Sequence, residues 1–330
     1  MLRTQLCELL GIELPIVGAG TGAIATSQLA AAITNAGGFG MIGVGADSTP
    51  RVLERIRELR GLTRGPVGVN VILEVHPAEA IEAILAEAID VLATGFGEVG
   101  PWAERAHAAG ARLFHRCETP AEARAAVAAG ADVIVAQGSD AGGHTGIVPT
   151  FALVPQIVDA VGGLPVLAAG GIADGRGLVA ALALGAAGAL IGTRFVASVE
   201  SAAHGLYKRG IVAAAATDSL ETDIFEIGWP GRPERALRNS TTAAWQREPE
   251  PRVRPSARPV EIVARRGDFE IPRFFVDTPF AGDEGDVEAM AMYAGPAAGL
   301  VREVLPAAEI VRRIAAEAEA VIAALAERRR

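Results

Sequence analysis

The sequence predicts an α/β protein built on a (β/α)8 TIM barrel, and three observations support this fold class. A strand-like apolar run, a glycine or polar loop and an alanine-rich amphipathic stretch recur through residues 16–195. The strand-like runs are almost continuously apolar, as parallel strands covered on both faces are. Eight such runs with helical crossovers favour a closed barrel. An open doubly wound sheet is the alternative, because a single sequence does not give strand order.

The repeats divide into strands and helices with recognisable ends. Several predicted helices begin with proline in the first turn, as at Thr119-Pro120, and several end on glycine, as at Gly130. The predicted strands are Ile16–Gly20, Phe39–Val44, Val67–Leu73, Val91–Gly95, Arg112–Cys117, Asp132–Gln137, Pro165–Ala169 and Ala189–Phe195. The predicted helices are Ser27–Ala36, Pro50–Leu59, Pro77–Ala88, Pro101–Ala109, Pro120–Ala129, Phe151–Val161 and Asp174–Leu184.

The pattern changes after Phe195, which predicts three segments. Residues 1–200 form the barrel core, 201–290 a helical and proline-rich insertion near the barrel mouth, and 291–330 a segment that packs back on the barrel. Within the insertion, residues 246–285 are rich in proline and charge and lack regular periodicity. Two interpretations of this stretch stay open: a lid over the barrel mouth and a disordered surface loop. The spacing of apolar residues in 306–330 predicts a C-terminal amphipathic helix.

Composition excludes several classes of protein. The net charge of −9 argues against a nucleic-acid partner, which requires a basic surface. Two cysteines form neither a disulfide framework nor a zinc site, so no metal is expected. The first residues lack the apolar core of a signal peptide, and the longest uncharged run, Gly177–Thr193, is interrupted by glycines. We therefore expect a cytoplasmic protein with no membrane partner.

The richest motif in the chain follows the sixth predicted strand. Residues 136–146 read AQGSDAGGHTG and combine four glycines with Gln137, Asp140 and His144. Glycines let the backbone bend sharply and approach a ligand closely. Because barrel active sites are built at the carboxyl ends of the strands, this mixture of an amide, a carboxylate and an imidazole predicts a binding pocket.

Two glycine turns follow the seventh and eighth strands. Gly170-Gly171 and Gly192-Thr193 each lead into a helix start, where backbone N–H groups attract anions. Phosphate commonly binds between these two loops in barrels, so the pair predicts a phosphate site. Tight turns without a ligand are the alternative.

The cofactor that best fits this pattern is FMN. The chain has no Gly-x-Gly-x-x-Gly in a first βαβ unit and no Walker lysine, which disfavours a resident dinucleotide. The Asn70 and Gln137 amides each offer a donor and an acceptor to the edge of a flavin ring. The alternative for both amides is that they bind the backbone of their own loops.

Among the five histidines, His144 is the candidate catalytic group. It lies in the glycine loop after strand six, where an imidazole can approach a ligand with a pKa near working pH. His115 lies near the end of strand five and is a second candidate for lining the pocket. His76, His107 and His204 are expected to be local capping or surface residues.

These motifs resemble the nitronate monooxygenase family of FMN-dependent (β/α)8 proteins, over most of residues 10–200 and again at the C-terminus. The motifs that support this resemblance most specifically are Gln137–His144 (QGSDAGGH) and Ala168–Gly175 (AAGGIADG). Supporting matches are Asn35–Gly40, Gly68–Asn70 and Leu190–Phe195. Departures are Asp140 where Glu is frequent, Gly18–Thr21 without a Pro-Met pair, and Pro296 where Gln is common.

The resemblance implies that His144 is the catalytic residue and that the loops at the mouth hold FMN. Together with the strand-end pattern, it predicts FMN contacts from Ala19, Gly20, Thr21, Asn70, Gln137, Gly142, Gly143, Gly170, Gly171, Leu190, Ile191, Gly192 and Thr193.

The activity that the resemblance implies is oxidation of an alkyl nitronate by dioxygen to a carbonyl compound and nitrite. His144 would orient the nitronate anion, or remove the α-proton if a neutral nitroalkane binds. An NAD(P)H-dependent FMN reductase acting on a quinone or an enoyl thioester is the first alternative. A flavin-free lyase or isomerase with a phosphorylated substrate is the second. Whether NAD(P)H is the electron donor and whether the protein forms a homodimer both stay undecided at this point.

Overall fold

The structure is a computed structural model that describes residues 2–328. Eight parallel strands close into a barrel in the order β1-β2-β3-β4-β5-β6-β8-β9, with β9 pairing back onto β1. The predicted barrel is therefore confirmed, and the open-sheet alternative is wrong. The strands are β1 Ile16–Gly18, β2 Phe39–Gly43, β3 Gly68–Ile72, β4 Val91–Gly95, β5 Arg112–Cys117, β6 Val133–Gln137, β7 Gly143–His144, β8 Val166–Ala169, β9 Gly188–Ile191, β10 Ser219–Thr222, β11 Glu234–Leu237, β12 Ile262–Arg266, β13 Phe269–Pro272 and β14 Glu284–Gly285.

Helices alternate with the barrel strands and surround them. Three of the helices between barrel strands begin at side-chain caps, in which Thr26, Thr119 and Asp174 accept a hydrogen bond from a backbone N–H in the first turn. The helices are α1 Gln5–Leu10, α2 Ser27–Asn35, α3 Thr49–Leu62, α4 Ala78–Leu85, α5 Trp102–Ala108, α6 Pro120–Ala128, α7 Thr150–Ala160, α8 Gly175–Ala183, α9 Thr193–Val196, α10 Gly205–Ala213, α11 Ser240–Arg247 and α12 Ala307–Glu327.

The eighth barrel strand is shorter than predicted. It ends at Ile191, and residues Thr193–Val196 form the one-turn helix α9. Apolar character alone does not separate a buried strand from a buried helical turn, so the sequence predicts a single strand to Phe195. The early end of β9 places the Gly192-Thr193 turn at the rim of the barrel.

Two apolar layers hold the barrel together. Side chains such as Val17, Phe39, Phe114 and Leu167 fill its interior, and a second layer lies between the strands and the surrounding helices. Helix α1 covers the amino-terminal end, where the Thr4 hydroxyl donates to the Ala187 carbonyl at 2.6 Å. The carboxyl-terminal end of the barrel is therefore the end left for a site.

The chain after the barrel contains two small antiparallel sheets. Strands β10 and β11 form a three-stranded sheet with β7, the short strand that carries His144. The second sheet, β13-β12-β14, lies within residues 246–285. The stretch predicted to lack regular periodicity is thus folded in part: β12 and β13 form a hairpin that turns at residues 267–268, and β14 pairs with β12 from further along the chain. Its role as a lid stays a prediction, as does the division of the chain at residues 200 and 290.

Helix α12 packs against the barrel helices and confirms the predicted C-terminal helix. Ile310, Val311 and Ile314 are buried in a cluster that also contains side chains of α2 and α8. The Glu317 carboxylate accepts the Gly175 N–H at the start of α8 at 3.0 Å. The last two residues of the predicted helix, 329–330, lie outside the described residues.

Candidate active site

The loops after the first and eighth strands meet each other and strand β3 near the carboxyl-terminal rim. The Ala19 N–H donates to the Ile191 carbonyl at 3.0 Å. A Cβ on Gly20 would lie 2.4 Å from Asn70 Cβ, so only glycine allows this approach. A Cβ on Gly192 would lie 3.5 Å from Cγ2 of Thr21. The structure therefore brings these predicted site residues together.

The loop after the sixth strand packs on the turn after the seventh. The Gly171 N–H donates to the Asp140 carbonyl at 3.2 Å. Gly170 has a φ of +109°, and a Cβ there would lie 2.8 Å from the backbone nitrogen of Ala141. The Asp140 carboxylate accepts the Thr150 N–H at 2.8 Å, which fixes the loop to the start of α7. Both backbone conformation and close packing require glycine at 170.

The segment around residues 293–295 joins the two halves of the rim. The Gly295 N–H donates to Thr193 Oγ1 at 3.2 Å. A Cβ on Gly142 would lie 2.8 Å from Ala294 Cα, and Gly143, with a φ of +79°, lies beside the Tyr293 ring. All the glycine turns singled out from the sequence therefore surround one end of the barrel.

The last two residues of β9 point to opposite faces of the barrel wall. Leu190 is partly buried and packs against the cluster inside the barrel, whereas Ile191 is buried in the layer between the barrel and the helices. Ile191 can therefore reach the rim only through its backbone.

Both predicted amides bind backbone carbonyls. The Asn70 Nδ2 donates to the Ala93 carbonyl at 3.4 Å, and the Gln137 Nε2 donates to the His144 carbonyl at 2.7 Å. The alternative that these amides bind protein backbone therefore holds for their N–H groups. Their carbonyl oxygens accept no hydrogen bond from residues 2–328. Gln137 also ties the end of β6 to the strand that carries His144.

His144 is held in strand β7 and enclosed by aromatic rings. It pairs with Glu234 of β11 in antiparallel register. Its ring centroid lies 4.3 Å from that of Trp229, 5.8 Å from Tyr293 and 6.2 Å from Phe96. Phe96 has a φ of +55°, a left-handed conformation that is rare outside glycine and is found at functional sites.

The imidazole of His144 is neutral at neutral pH. Its side chain is 9% exposed. Burial, together with the nearby cations Arg116 and Arg232, lowers the pKa of His144 to about 4. Its buried Nε2 has no hydrogen-bond partner within residues 2–328. A buried polar atom without a partner is uncommon and indicates a ligand or a catalytic role.

Two arginines place positive charge beside this imidazole. Arg116 stacks on Phe96, with its guanidinium carbon 3.8 Å from the ring centroid. Its Nε is buried without a partner in the described chain, while its terminal nitrogen pairs with Glu118. Arg232 lies 5.5 Å from the same ring and pairs with Glu74. The pocket around His144 can therefore attract an anion.

The other histidines lie elsewhere. His115 bonds Thr94 at 2.8 Å and alternates with Phe114, which points into the barrel, so it faces the helix layer. Its candidacy for lining the pocket is wrong, and Arg116 takes that place. His76 bonds the Gly45 carbonyl, His107 pairs with Asp132 on the surface, and His204 caps α10.

Sequence reasoning did not find the residues that surround His144. Glu234, Trp229 and Tyr293 come from segments 85 or more residues after it, which no local motif connects to the glycine loop. Trp229 within Gly-Trp-Pro-Gly was the one local signal, because a tryptophan between turn residues is unusual. Tyr293 lies three residues before Pro296, a departure from the family pattern, and carries no signal of its own.

The residues present fit a phosphate-bearing flavin. Gly170 and Gly171 have positive φ values, and α9 begins at Thr193 with N–H groups that have no acceptor within the helix. The free carbonyl oxygens of Asn70 and Gln137 lie at the same rim. Within residues 2–328 no group of three His, Cys, Asp or Glu side chains could hold a metal ion, and no helix is long and apolar enough to span a membrane.

Comparison with known proteins gives a family and its relatives. The nitronate monooxygenase family matches residues 3–93 and 74–317. A (3aS,4S,5R,7aS)-5-hydroxy-7a-methyl-1-oxo-octahydro-1H-indene-4-carboxyl-CoA dehydrogenase from Mycobacterium tuberculosis is 37% identical over 240 residues. That alignment covers 72% of this chain and 66% of the relative, just under two thirds of its length.

Two solved structures share the whole architecture. FabK from Thermotoga maritima superposes with a TM-score of 0.83 at 33% identity, covering 98% of this chain and 99% of that one. A nitroalkane oxidase from Streptomyces ansochromogenes gives 0.78 at 31% identity, with 97% and 99% covered. The chain therefore belongs to the nitronate monooxygenase family and is a flavin-dependent oxidoreductase.

Proposed function

We propose that this protein binds FMN and oxidises alkyl nitronates with dioxygen to carbonyl compounds and nitrite. The observation that carries this proposal is the neutral, unpaired imidazole of His144 between two cationic side chains. The similarity to a nitroalkane oxidase and to the nitronate monooxygenase family supports the same substrate class.

In this proposal the glycine turns at 170–171 and 192–193 hold the phosphate of FMN, and Asn70 and Gln137 face the flavin ring. Bound FMN supplies the electron transfer between the organic substrate and dioxygen. The protein's own contribution is to position the substrate and to exclude water from it. The rings of Phe96, Trp229 and Tyr293 enclose the side of the pocket where His144 lies.

The charges around His144 assign different roles to the two arginines and to the imidazole. Arg116 and Arg232 attract the negatively charged nitronate. The neutral imidazole of His144 then donates a hydrogen bond to a nitronate oxygen or, with a neutral nitroalkane, takes the α-proton. A positioned base of this kind contributes about 10²–10⁴-fold to the rate.

The His144→Ala variant tests this role. We expect it to retain bound flavin, visible in the absorption spectrum, and to lose about 10²–10⁴-fold in turnover of nitronate. His107→Ala, a surface histidine paired with Asp132, is the matched control and should keep wild-type turnover. Turnover at the wild-type rate in His144→Ala would refute the assignment.

A reductase or dehydrogenase that acts on an acyl thioester is the second candidate. The carboxyl-CoA dehydrogenase relative supports it, as does a cavity of about 1190 Å³ lined by Gly228 and Pro230, on either side of Trp229, and by Arg247 and Arg252. Anaerobic mixing separates the two candidates. Bleaching of the flavin by nitronate and not by NADH or NADPH supports the monooxygenase, and the reverse supports the reductase. Membership of a flavin enzyme family excludes the flavin-free lyase.

A further inference from the structure

A buried carboxyl group lies next to the candidate catalytic imidazole. Glu234 is 1% exposed, and its Oε2 is 3.6 Å from Nε2 of His144. This distance is too long for a hydrogen bond. Catalytic hydrogen bonds are often long in the absence of substrate and tighten when it binds. The facing register of β7 and β11 holds the two side chains opposite each other.

The hydroxyl of Tyr293 shows how Glu234 can carry a proton. This oxygen lies 3.0 Å from Glu234 Oε2 and 2.9 Å from the Val276 carbonyl. The hydroxyl has a single proton, and the carbonyl can only accept. The hydroxyl can therefore donate to Glu234 when the carboxylate is ionised, or to the Val276 carbonyl when Glu234 is protonated, and the second arrangement leaves the carboxyl proton for Nε2 of His144. The other carboxyl oxygen, Oε1, accepts the Phe225 N–H at 2.8 Å in either state.

The charged groups around the pair oppose ionisation of Glu234 and protonation of His144. Burial, with smaller contributions from Asp223 and Glu226, raises the pKa of Glu234 to about 7 against the opposing effect of the hydrogen bonds from Phe225 and Tyr293. These two carboxylates are paired with Arg254. Burial, Arg116 and Arg232 keep the pKa of His144 low, at about 4. Near neutral pH the carboxyl therefore gains or loses a proton while the imidazole stays neutral.

We propose that the proton on Glu234 selects the tautomer of His144 and thereby the form of the substrate, an inference that rests on the function proposed above. Protonated Glu234 donates to Nε2, so the ring carries its hydrogen on Nδ1. That N–H then donates to an oxygen of an anionic nitronate. Glu234 acts through His144 in this proposal and is a positioning residue.

Ionised Glu234 reverses the arrangement. It accepts the hydrogen of Nε2, and the lone pair of Nδ1 becomes available as a base. With a neutral nitroalkane the α C–H bond breaks, its electron pair remains with the substrate as the nitronate, and its proton forms an N–H bond at Nδ1. The carboxylate balances the charge of the resulting imidazolium.

Nitrogen-15 NMR of the histidine-labelled holoenzyme tests this without measuring activity. Spectra are recorded from about pH 5 to about pH 8, and the His144 signals are assigned by their loss in His144→Ala. We expect a neutral ring whose hydrogen moves from Nδ1 to Nε2 as the pH rises through about 7. Glu234→Gln should abolish the pH-driven change. A tautomer that is constant in the wild type, or a change that persists in Glu234→Gln, overturns the proposal.

Steady-state kinetics provides a second arm. The ratio of kcat/KM for nitroalkane over nitronate should rise with pH along a single ionisation near 7 in the wild type, and should be flat in Glu234→Gln. Glu221→Gln, an exposed carboxylate on the neighbouring strand β10, is the control and should keep the wild-type profile. If neither substrate is oxidised, the proposed function fails while the NMR result still decides the tautomer. If nitronate is oxidised without a tautomer change, only this inference fails.

Discussion

Replacing Trp229 should raise the pKa of His144, because that ring is the nearest of the three that separate the imidazole from water. The enclosure and its cations lower the pKa of His144 from its ordinary value of 6.5 to about 4. At about 1.4 kcal/mol per pH unit, this difference corresponds to roughly 3 kcal/mol against the charged form. In Trp229→Ala water reaches the ring, but Arg116 and Arg232 remain. The pKa of His144 should therefore rise by roughly 1–2 pH units and stay below 6.5.

The measurement is an NMR titration of His144 in the holoenzyme, together with the pH profile of kcat/KM. The acid limb that reports protonation of His144 should move to higher pH by the same amount as the NMR midpoint. Trp245→Ala is the matched control, since Trp245 packs edge-to-face with Phe274 and is not among the rings that contact His144. A folded Trp229→Ala protein with an unchanged titration midpoint would refute the argument that aromatic burial keeps the imidazole neutral.

Two further predictions concern the anion pocket and the glycine turns. Arg116→Met should raise KM for nitronate by about tenfold or more, with a smaller change in kcat, because a charge-assisted hydrogen bond contributes about 1.5–3 kcal/mol. The control is Arg112→Met, which changes an exposed residue of the same strand and should keep the wild-type KM. Gly170→Ala combines a positive φ with a backbone atom 2.8 Å from the new Cβ, so we expect loss of bound flavin and a destabilisation of roughly 1–3 kcal/mol in chemical unfolding. Gly162→Ala has a positive φ but nothing within 4 Å, so it should retain flavin. Equal flavin content in both glycine variants would contradict the close-approach argument.

The sequence by itself determined the parallel α/β organisation and the location of the glycine turns. Continuous apolar runs separated by helical stretches predict parallel strands covered on both faces, whereas the pairing of β9 with β1 in the structure decided that the eight strands close into a barrel. Glycines at 170 and 171 indicated special backbone conformations, which are local properties that a sequence records directly. His144 stood out for the same reason, because it lies within one of these local motifs.

Only the tertiary structure decided what surrounds His144. Glu234 reaches it through antiparallel pairing of β11 with β7, and Trp229 and Tyr293 arrive from loops whose positions depend on packing. Apolar character did not fix the end of the eighth strand, nor did proline content reveal the small sheet inside residues 246–285. The protonation of His144 and Glu234 also comes from this packing, because a pKa depends on burial and on charges that are distant in sequence. Local conformation depends on residues that are adjacent in sequence. The electrostatics of the site, in contrast, arise only when distant segments meet.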